Sequence, residues 1–183
     1  MSVVWVLVGL VTILGLYGII AYNGLVRLRN RIDNAWSQID VQLRRRHDLI
    51  PNVVETVRGY AAHEKTTLEG VIQARSAAIS AEGVTEQGQA ENMISGALRQ
   101  LFALAESYPN LKANQNFLAL QEELSGTEGR ISYARQFYND SVLSYNNKLQ
   151  SLPTNVVAAI GSFPVRGYFE TDEISRSPVR VQF

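Results

Sequence analysis

The chain contains an unbroken apolar stretch near its N-terminus. Residues 3–22 read VVWVLVGLVTILGLYGIIAY, and the first charged side chain is that of Arg27. A helix of about 20 residues is roughly 30 Å long, which matches the hydrocarbon thickness of a bilayer. We therefore expect a single-pass transmembrane helix here. The alternatives are a buried core helix, for which the stretch is long, and a cleaved signal peptide, which normally has a basic segment in front of it.

Side chains at both ends of this stretch fit the two membrane interfaces. Val3 and Trp5 lie near one end, and Tyr17 and Tyr22 lie towards the other. Three arginines follow the stretch: Arg27, Arg29 and Arg31. Because Lys and Arg resist transfer across a membrane, this asymmetry predicts that the N-terminus is outside and the C-terminal domain is cytoplasmic.

The next segment repeats its inward positions every seven residues. One series consists of Leu25, Ile32, Ile39, Arg46, Val53 and Tyr60, and a second consists of Trp36, Leu43, Ile50 and Val57. Such spacing is typical of an amphipathic helix with a narrow apolar seam, as in bundles and coiled coils. We expect the membrane helix to continue into this one. Pro51 either kinks this helix or marks the start of a new helix capped by Asp48. The seven-residue spacing continues past Pro51 without a shift, which favours the kink.

Three further helices are predicted. Residues 66–81 are alanine-rich, residues 81–88 (AEGVTEQG) indicate a polar loop, and an apolar series from Met93 to Leu104 indicates the next helix. The last helix is expected from Leu111 to Leu149. Its predicted buried stripe is Phe117, Leu120, Leu124, Thr127, Ile131, Ala134, Tyr138, Val142, Tyr145 and Leu149.

These elements predict an all-α fold in three parts. A transmembrane helix over residues 3–22 continues into an elongated antiparallel four-helix bundle over residues 23–150, followed by an irregular tail over residues 151–183. The end of the tail alternates apolar Val179, Val181 and Phe183 with polar residues. Either it adds a strand to a neighbouring chain or it is disordered.

Composition and histidine spacing argue against most catalytic classes. Seventeen basic and seventeen acidic residues balance, which does not favour nucleic-acid binding, and the absence of cysteine excludes thiolate sites and disulfides. His47 and His63 would face nearly opposite directions on one helix. With no phosphate loop or nucleophile motif, we predict no catalytic residue, no metal and no cofactor.

Two sets of polar residues fall on the predicted seams. Arg46 is expected to pair with an inward acid, and the candidate is Glu128, in phase with Gln121 and Arg135 on the last helix; such a pair would set helix register. Tyr138-Asn139 and Tyr145-Asn146 repeat after seven residues. They predict hydrogen bonds along one flank, to a neighbouring helix or across subunits, with the former favoured.

Several blocks carry a family resemblance. The most recognisable runs from Arg45 to Val57 (RRHDLIPNVVETV), followed by Gly59-Tyr60-Ala61 and His63-Glu64. Shorter blocks are Tyr22-Asn23-Gly24-Leu25-Val26, Ala74-Arg75, Tyr108-Pro109, Leu111-Lys112-Ala113-Asn114, Thr127-Glu128, Ala134-Arg135, Tyr138-Asn139, Tyr145-Asn146 and Tyr168-Phe169-Glu170. In these blocks the chain resembles the LemA family of bacterial membrane-anchored proteins over about residues 22–170. It departs from the family at Gly129, where asparagine is expected, and at Gly161–Pro164.

The resemblance implies one membrane anchor, a helical domain and no known catalytic residue or cofactor. The resemblance leaves the biochemical role open. From a long helical domain on a membrane anchor, without catalytic motifs, we expect a non-enzymatic scaffold in the bacterial inner membrane that binds the bilayer and self-assembles, with a membrane protein as a further partner. The expected interaction residues are Tyr168, Val179, Val181 and Phe183. The alternative is an accessory docking subunit of a membrane enzyme or protease.

Overall fold

The structure, a computed structural model, describes residues 2–169, which form six helices and no strand. The helices are α1 (Ser2–Arg58), α2 (Lys65–Ser80), α3 (Gly83–Ala105), α4 (Pro109–Lys112), α5 (Gln115–Gln150) and α6 (Thr154–Ile160). The all-α prediction is confirmed. The end of the tail with Val179, Val181 and Phe183, for which the sequence left a strand or disorder open, lies outside the described residues.

The described residues divide into two compact units. The first consists of residues 2–37 together with Gln136–Gly167, and the second consists of Gln38–Arg135 together with residues 168–169. Helices α1 and α5 contribute to both units. In the first unit, α6 and the segment after it pack against α1 and α5, so part of the predicted tail is ordered.

Helix α1 is continuous from Ser2 to Arg58, as predicted, and the chain does not restart at Pro51. Both seven-residue series are buried along its length: Leu25, Ile32, Ile39, Leu43, Arg46, Ile50, Val53 and Val57, with Trp36 partly buried. Tyr60 is the exception. It is exposed because it lies beyond the end of the helix.

The polar loop predicted over residues 81–88 is wrong beyond Glu82, because α3 begins at Gly83. Gly83 has a φ of +81°, a conformation that glycine adopts without strain, and this permits a tight turn. The backbone N–H of Glu82 donates to Glu86 Oε2 at 3.2 Å, so a side chain from the first turn stabilises the start of the helix. Polar residues that resembled a loop therefore form a helix N-terminus.

The last long helix begins at Gln115 rather than Leu111, because residues 109–112 form the separate short helix α4. The Oδ1 atom of Asn114 accepts a hydrogen bond from the backbone N–H of Phe117 at 3.0 Å, which caps α5. The predicted stripe is confirmed: every member is buried except Leu120, which is partly buried.

In the second unit, α5 runs antiparallel to the C-terminal part of α1. Asn114, just before α5, bonds to Tyr60, just after α1, and Glu128 within α5 pairs with Arg46 within α1. The start of α5 therefore lies at the end of α1, and the two helices run in opposite directions. The core between these helices and α2 and α3 is apolar, with residues such as Ile50, Val57, Val71, Ile94, Leu101, Leu111 and Phe117 almost fully buried. Each such side chain contributes about 1.5–3 kcal/mol on burial.

Candidate functional site

The N-terminal part of α1 presents apolar side chains on every face. An 18-residue window of the helix has a mean hydropathy of 2.5, and none of it is buried. A core helix of a soluble protein would be covered, so that alternative does not fit. Thr12, the polar residue within the stretch, donates its hydroxyl to the carbonyl of Val8 at 2.8 Å. By length and composition, α1 is suited to crossing a bilayer.

The predicted anchor residues occupy different environments. Val3, Trp5 and Tyr22 are exposed, whereas Tyr17 is partly covered by Thr154. Arg27 is exposed. The other two arginines stack on aromatic rings that the sequence did not predict as partners: Arg29 lies 5.8 Å from the centre of the Phe163 ring, and Arg31 lies 5.0 Å from that of Phe137.

The second unit contains a polar network around the buried guanidinium of Arg46. Arg46 Nη1 lies 2.8 Å from Glu128 Oε2, and Nη2 donates to Ser95 Oγ at 2.6 Å. Glu91 Oε2 lies farther away, 3.6 Å from Nη1. Burial lowers the pKa of Arg46, and the charges of Glu128 and Glu91 oppose this effect. The network links α1, α3 and α5.

Glu91 is the buried acid of this network, and sequence reasoning missed it. Glu128, the predicted partner, has a side chain that is 52% exposed, whereas that of Glu91 is 4% exposed. Glu91 Oε1 lies 2.7 Å from Nε2 of the buried His47 and accepts a hydrogen bond from Gln87 Nε2 at 2.9 Å. A signal was present in the sequence, because Glu91 lies three residues before Ile94 on the apolar stripe of α3.

The other two members of the predicted network are not part of it. Gln121 and Arg135 are partly buried on α5, and within residues 2–169 neither forms a hydrogen bond or ion pair with Arg46. Each is seven residues from Glu128, about 10 Å along a helix. Gln121 and Arg135 therefore lie on the same side of α5 as Glu128, but they are too far along the helix to reach the guanidinium of Arg46.

Pro51 and Arg75 form a second polar arrangement in the same unit. Pro51 has no backbone N–H, so the carbonyl of His47, four residues earlier, lacks its usual helical donor. Arg75 Nε on α2 donates to that carbonyl at 2.7 Å. This bond explains why the helix passes through Pro51 without leaving an unpaired buried group.

Two bonds join the turn after α1 to the connection between α3 and α5. Tyr108 donates its hydroxyl to Glu64 Oε1 at 3.1 Å, and Asn114 Nδ2 donates to the hydroxyl of Tyr60 at 2.9 Å. His63 is exposed in this turn, beyond the end of α1, so the single-helix geometry predicted for His47 and His63 does not apply. Among residues 2–169, no group of three or more His, Asp or Glu side chains is arranged to hold a metal.

In the first unit, the tyrosine and asparagine repeat binds the extended segment after α6. Tyr138 donates to the carbonyl of Gly167 at 3.0 Å and Tyr145 to that of Pro164 at 2.9 Å. Asn146 makes two bonds with the backbone of Arg166, at 2.9 and 3.1 Å. These bonds are intramolecular, but their partner is a non-helical segment. Burial raises the pKa of both tyrosines, and the positive charge of Arg166 opposes this.

A family model for the LemA family matches residues 35–183. The chain is 32% identical over 162 residues to Protein LemA of Metamycoplasma hominis, a match that covers 86% of this chain and 72% of that protein. The chain belongs to the LemA family. It is also 23% identical over 184 residues to magnetosome protein MamQ 2 of Paramagnetospirillum magneticum and to MamQ of Magnetospirillum gryphiswaldense, with 86% of this chain and 68% of each relative covered.

The blocks that resemble the LemA family coincide with the contacts described above. Arg46, His47 and Pro51 belong to the longest block, and Arg75 and Glu128 to two shorter ones. Membership of the LemA family and the exposed apolar part of α1 together indicate a membrane-anchored bacterial protein. The names of these LemA and MamQ relatives specify no enzymatic activity.

Proposed function

We propose that this protein is a non-enzymatic scaffold of the bacterial inner membrane, anchored by residues 3–22. The observation that carries the proposal is the continuity of α1, whose exposed apolar part and buried seven-residue series belong to one helix. The polar side chains inside the second unit support a structural role, because Arg46, His47 and Arg75 are each engaged by groups of the same unit.

Membrane fractionation tests the anchoring. The full chain should sediment with membranes after ultracentrifugation of lysed cells and should resist extraction with alkaline carbonate. A matched chain lacking residues 3–22 should appear in the supernatant, because the exposed apolar surface has been removed. Recovery of the intact chain in the supernatant would contradict the proposal.

The proposed orientation places the N-terminus outside and the helical domain in the cytoplasm. It rests on Arg27, Arg29 and Arg31, which follow the apolar stretch and are all exposed. Alkaline phosphatase fused after Phe183 should be inactive, and a fluorescent protein fused there should be bright. Strong phosphatase activity from the fusion would reverse the orientation while leaving the anchoring intact.

Self-assembly is the second part of the proposal. The candidate contact is the end of the chain, with exposed Tyr168 and, beyond the described residues, Val179, Val181 and Phe183. An alternating apolar segment of this kind can add a strand to a neighbour. Mass photometry in mild detergent should show an oligomer, and removal of residues 175–183 should reduce its size. A monomer in both samples would contradict assembly.

A docking subunit of a membrane enzyme or protease is the second candidate function. A groove of the second unit favours it, because the apolar Leu68 and the 40% exposed Ile72 line it beside the charged Lys65 and Glu69. An apolar centre with a polar rim is typical of protein interfaces. Photo-crosslinkers at Arg45 or Tyr168 in cells should then capture one dominant heterologous protein. Capture of the same chain alone would favour the self-assembling scaffold.

A further inference from the structure

The connection between α5 and α6 reaches the apolar part of α1. The hydroxyl of Tyr17 lies 3.0 Å from Thr154 Oγ1, at the start of α6. Farther along both segments, the rings of Tyr22 and Phe163 meet edge to face at 5.4 Å. Around these contacts, Gly15, Gly18 and Ile19 of α1 line one groove with Val157 and Ile160 of α6. All these residues belong to the first unit.

The segment that makes these contacts is uncharged. Between Lys148 and Arg166 the chain contains no Asp, Glu, Lys or Arg. Its large exposed side chains are apolar: Leu152 is 80% exposed and Ile160 is 82% exposed, and Val156 and Val165 are also exposed. Ser162 is a small polar residue exposed among them. We refer to residues 152–165 as the apolar tip. Its surface adjoins Ile19 of α1, which is itself exposed, and Leu16 and Ile20 on the same turns of α1 are exposed as well.

Three polar groups of the connection are paired within the chain. The Ser151 hydroxyl donates to the carbonyl of Asn147 at 2.7 Å, and Thr154 is buried against Tyr17. After α6, the backbone N–H of Phe163 donates to the carbonyl of Ala158 at 3.1 Å. Lipid contact therefore leaves these three groups satisfied, which matters because an unpaired polar group in hydrocarbon costs several kcal/mol. Asn155 Oδ1 is the exception in this segment, because it is buried without a hydrogen-bond partner.

The depth of the apolar tip follows from its partners on α1. Tyr17 precedes Tyr22 by five residues, about 7.5 Å along a helix. Elements that lie in a membrane interface bury their apolar face by about 5–10 Å. Arg29, which stacks on Phe163, and Arg166 then mark the polar side of that boundary.

We propose that the apolar tip is a second membrane contact, inserted into the leaflet from which α1 emerges towards the helical domain. The inference rests on the proposed anchoring, because the depth of the tip is defined by α1. Its occupant is lipid, since any bilayer that covers Leu16, Ile19 and Ile20 also covers the neighbouring Ile160. The protein would thus touch the membrane at two places far apart in the sequence.

Single-cysteine labelling tests this contact, because the native chain contains no cysteine. The full chain carrying Leu152→Cys or Ile160→Cys is labelled with the fluorophore NBD and reconstituted in phosphatidylethanolamine–phosphatidylglycerol vesicles. Val41→Cys, an exposed apolar position of the second unit, is the water control, and Ile13→Cys is the lipid control. Doxyl-labelled lipid and aqueous iodide are the two quenchers.

Labels at Leu152 and Ile160 should be quenched by doxyl lipid, as at Ile13, and should be at least threefold less sensitive to iodide than at Val41. Iodide quenching equal to that at Val41, with Ile13 shielded, would overturn the tip contact and leave the anchor intact. Shielding from both quenchers would indicate a second copy of the chain over the tip and would also overturn it. Iodide access at Ile13 would overturn the anchoring and the inference together.

Discussion

At the scale of single residues, Arg75 supplies the hydrogen bond that Pro51 removes from α1. Replacing Arg75 by Ala should leave the carbonyl of His47 unpaired and lower the free energy of unfolding by about 1–3 kcal/mol. In a Pro51→Ala background, residue 51 regains its backbone N–H and can donate to the carbonyl of His47. Replacing Arg75 by Ala should then lower the free energy of unfolding by about 1 kcal/mol less than in the native background. Denaturant unfolding of all four proteins in mild detergent measures this coupling. Equal effects in both backgrounds would contradict it.

The two acids of the Arg46 network, Glu91 and Glu128, should contribute unequally to stability. Removing the buried carboxylate with Glu91→Ala should lower the free energy of unfolding by roughly 3–5 kcal/mol, because Arg46 and His47 both lose a buried partner. Glu128→Ala should lower it by about 1 kcal/mol, because that carboxylate is half exposed to water. Thermal melting of the two variants compares them directly. A larger loss at Glu128 would make it the main partner of Arg46.

Buried tyrosines predict a loss of stability at high pH. Since burial raises the pKa of Tyr145, the neutral phenol stabilises the folded chain below about pH 10, the ordinary tyrosine pKa. That contribution is lost as the pH rises through the pKa of the folded state. Tyr145→Phe should lower the free energy of unfolding by about 0.5–1.5 kcal/mol at pH 8, because the hydrogen bond to the carbonyl of Pro164 is lost. Above pH 10, the stability of this variant should fall less steeply with pH than that of the native chain.

Melting temperatures between pH 8 and pH 11 test this dependence, and Tyr133→Phe is the matched control because Tyr133 is exposed. The control should decline with pH as the native chain does. An equally steep decline in the Tyr145→Phe variant would exclude Tyr145 as a source of the alkaline instability.

At the scale of elements, α5 carries a glycine that its packing does not require. Gly129 is exposed, and a Cβ built on it would meet nothing within 4 Å. Gly129→Ala should therefore raise the free energy of unfolding by about 0.5–1 kcal/mol through helix propensity. Gly161→Ala is the contrasting variant: its Cβ would lie 2.6 Å from Phe163 Cε2, so it should destabilise. Denaturant titrations measure both effects. If both variants were more stable than the native chain, the inferred difference in packing around Gly129 and Gly161 would be wrong.

Helix seams could be predicted from the sequence because they repeat locally. The series from Leu25 to Val53 and the stripe of α5 are buried as their spacing predicts. The start of α3 was missed because Gly83 and Gly88 indicated a loop, whereas the Glu86 side chain stabilises the first turn. Glu91 and the partners of Tyr145 were missed for another reason, since their contacts join segments that no local period relates.

At the scale of the whole molecule, the two units should respond differently to lipid. The first unit includes the apolar part of α1 and the apolar tip, whereas α2 and α3 belong to the second. Exchange of the protein from vesicles into a short-chain detergent should lower amide protection within Gln136–Gly167, because lipid no longer covers the tip. Hydrogen–deuterium exchange with mass spectrometry measures this loss. Protection in α2 and α3 should stay unchanged, and a uniform loss would contradict the difference.

The bond between Tyr17 and Thr154 joins residues that are 137 positions apart. At about 5–20 residues per second, a ribosome needs roughly 7–27 s to make the intervening chain. If the anchor inserts as it is translated, the hydroxyl of Tyr17 therefore enters the bilayer before Thr154 has been synthesised. Docking of the second segment is then a late step of biogenesis, which follows insertion of the anchor by many seconds.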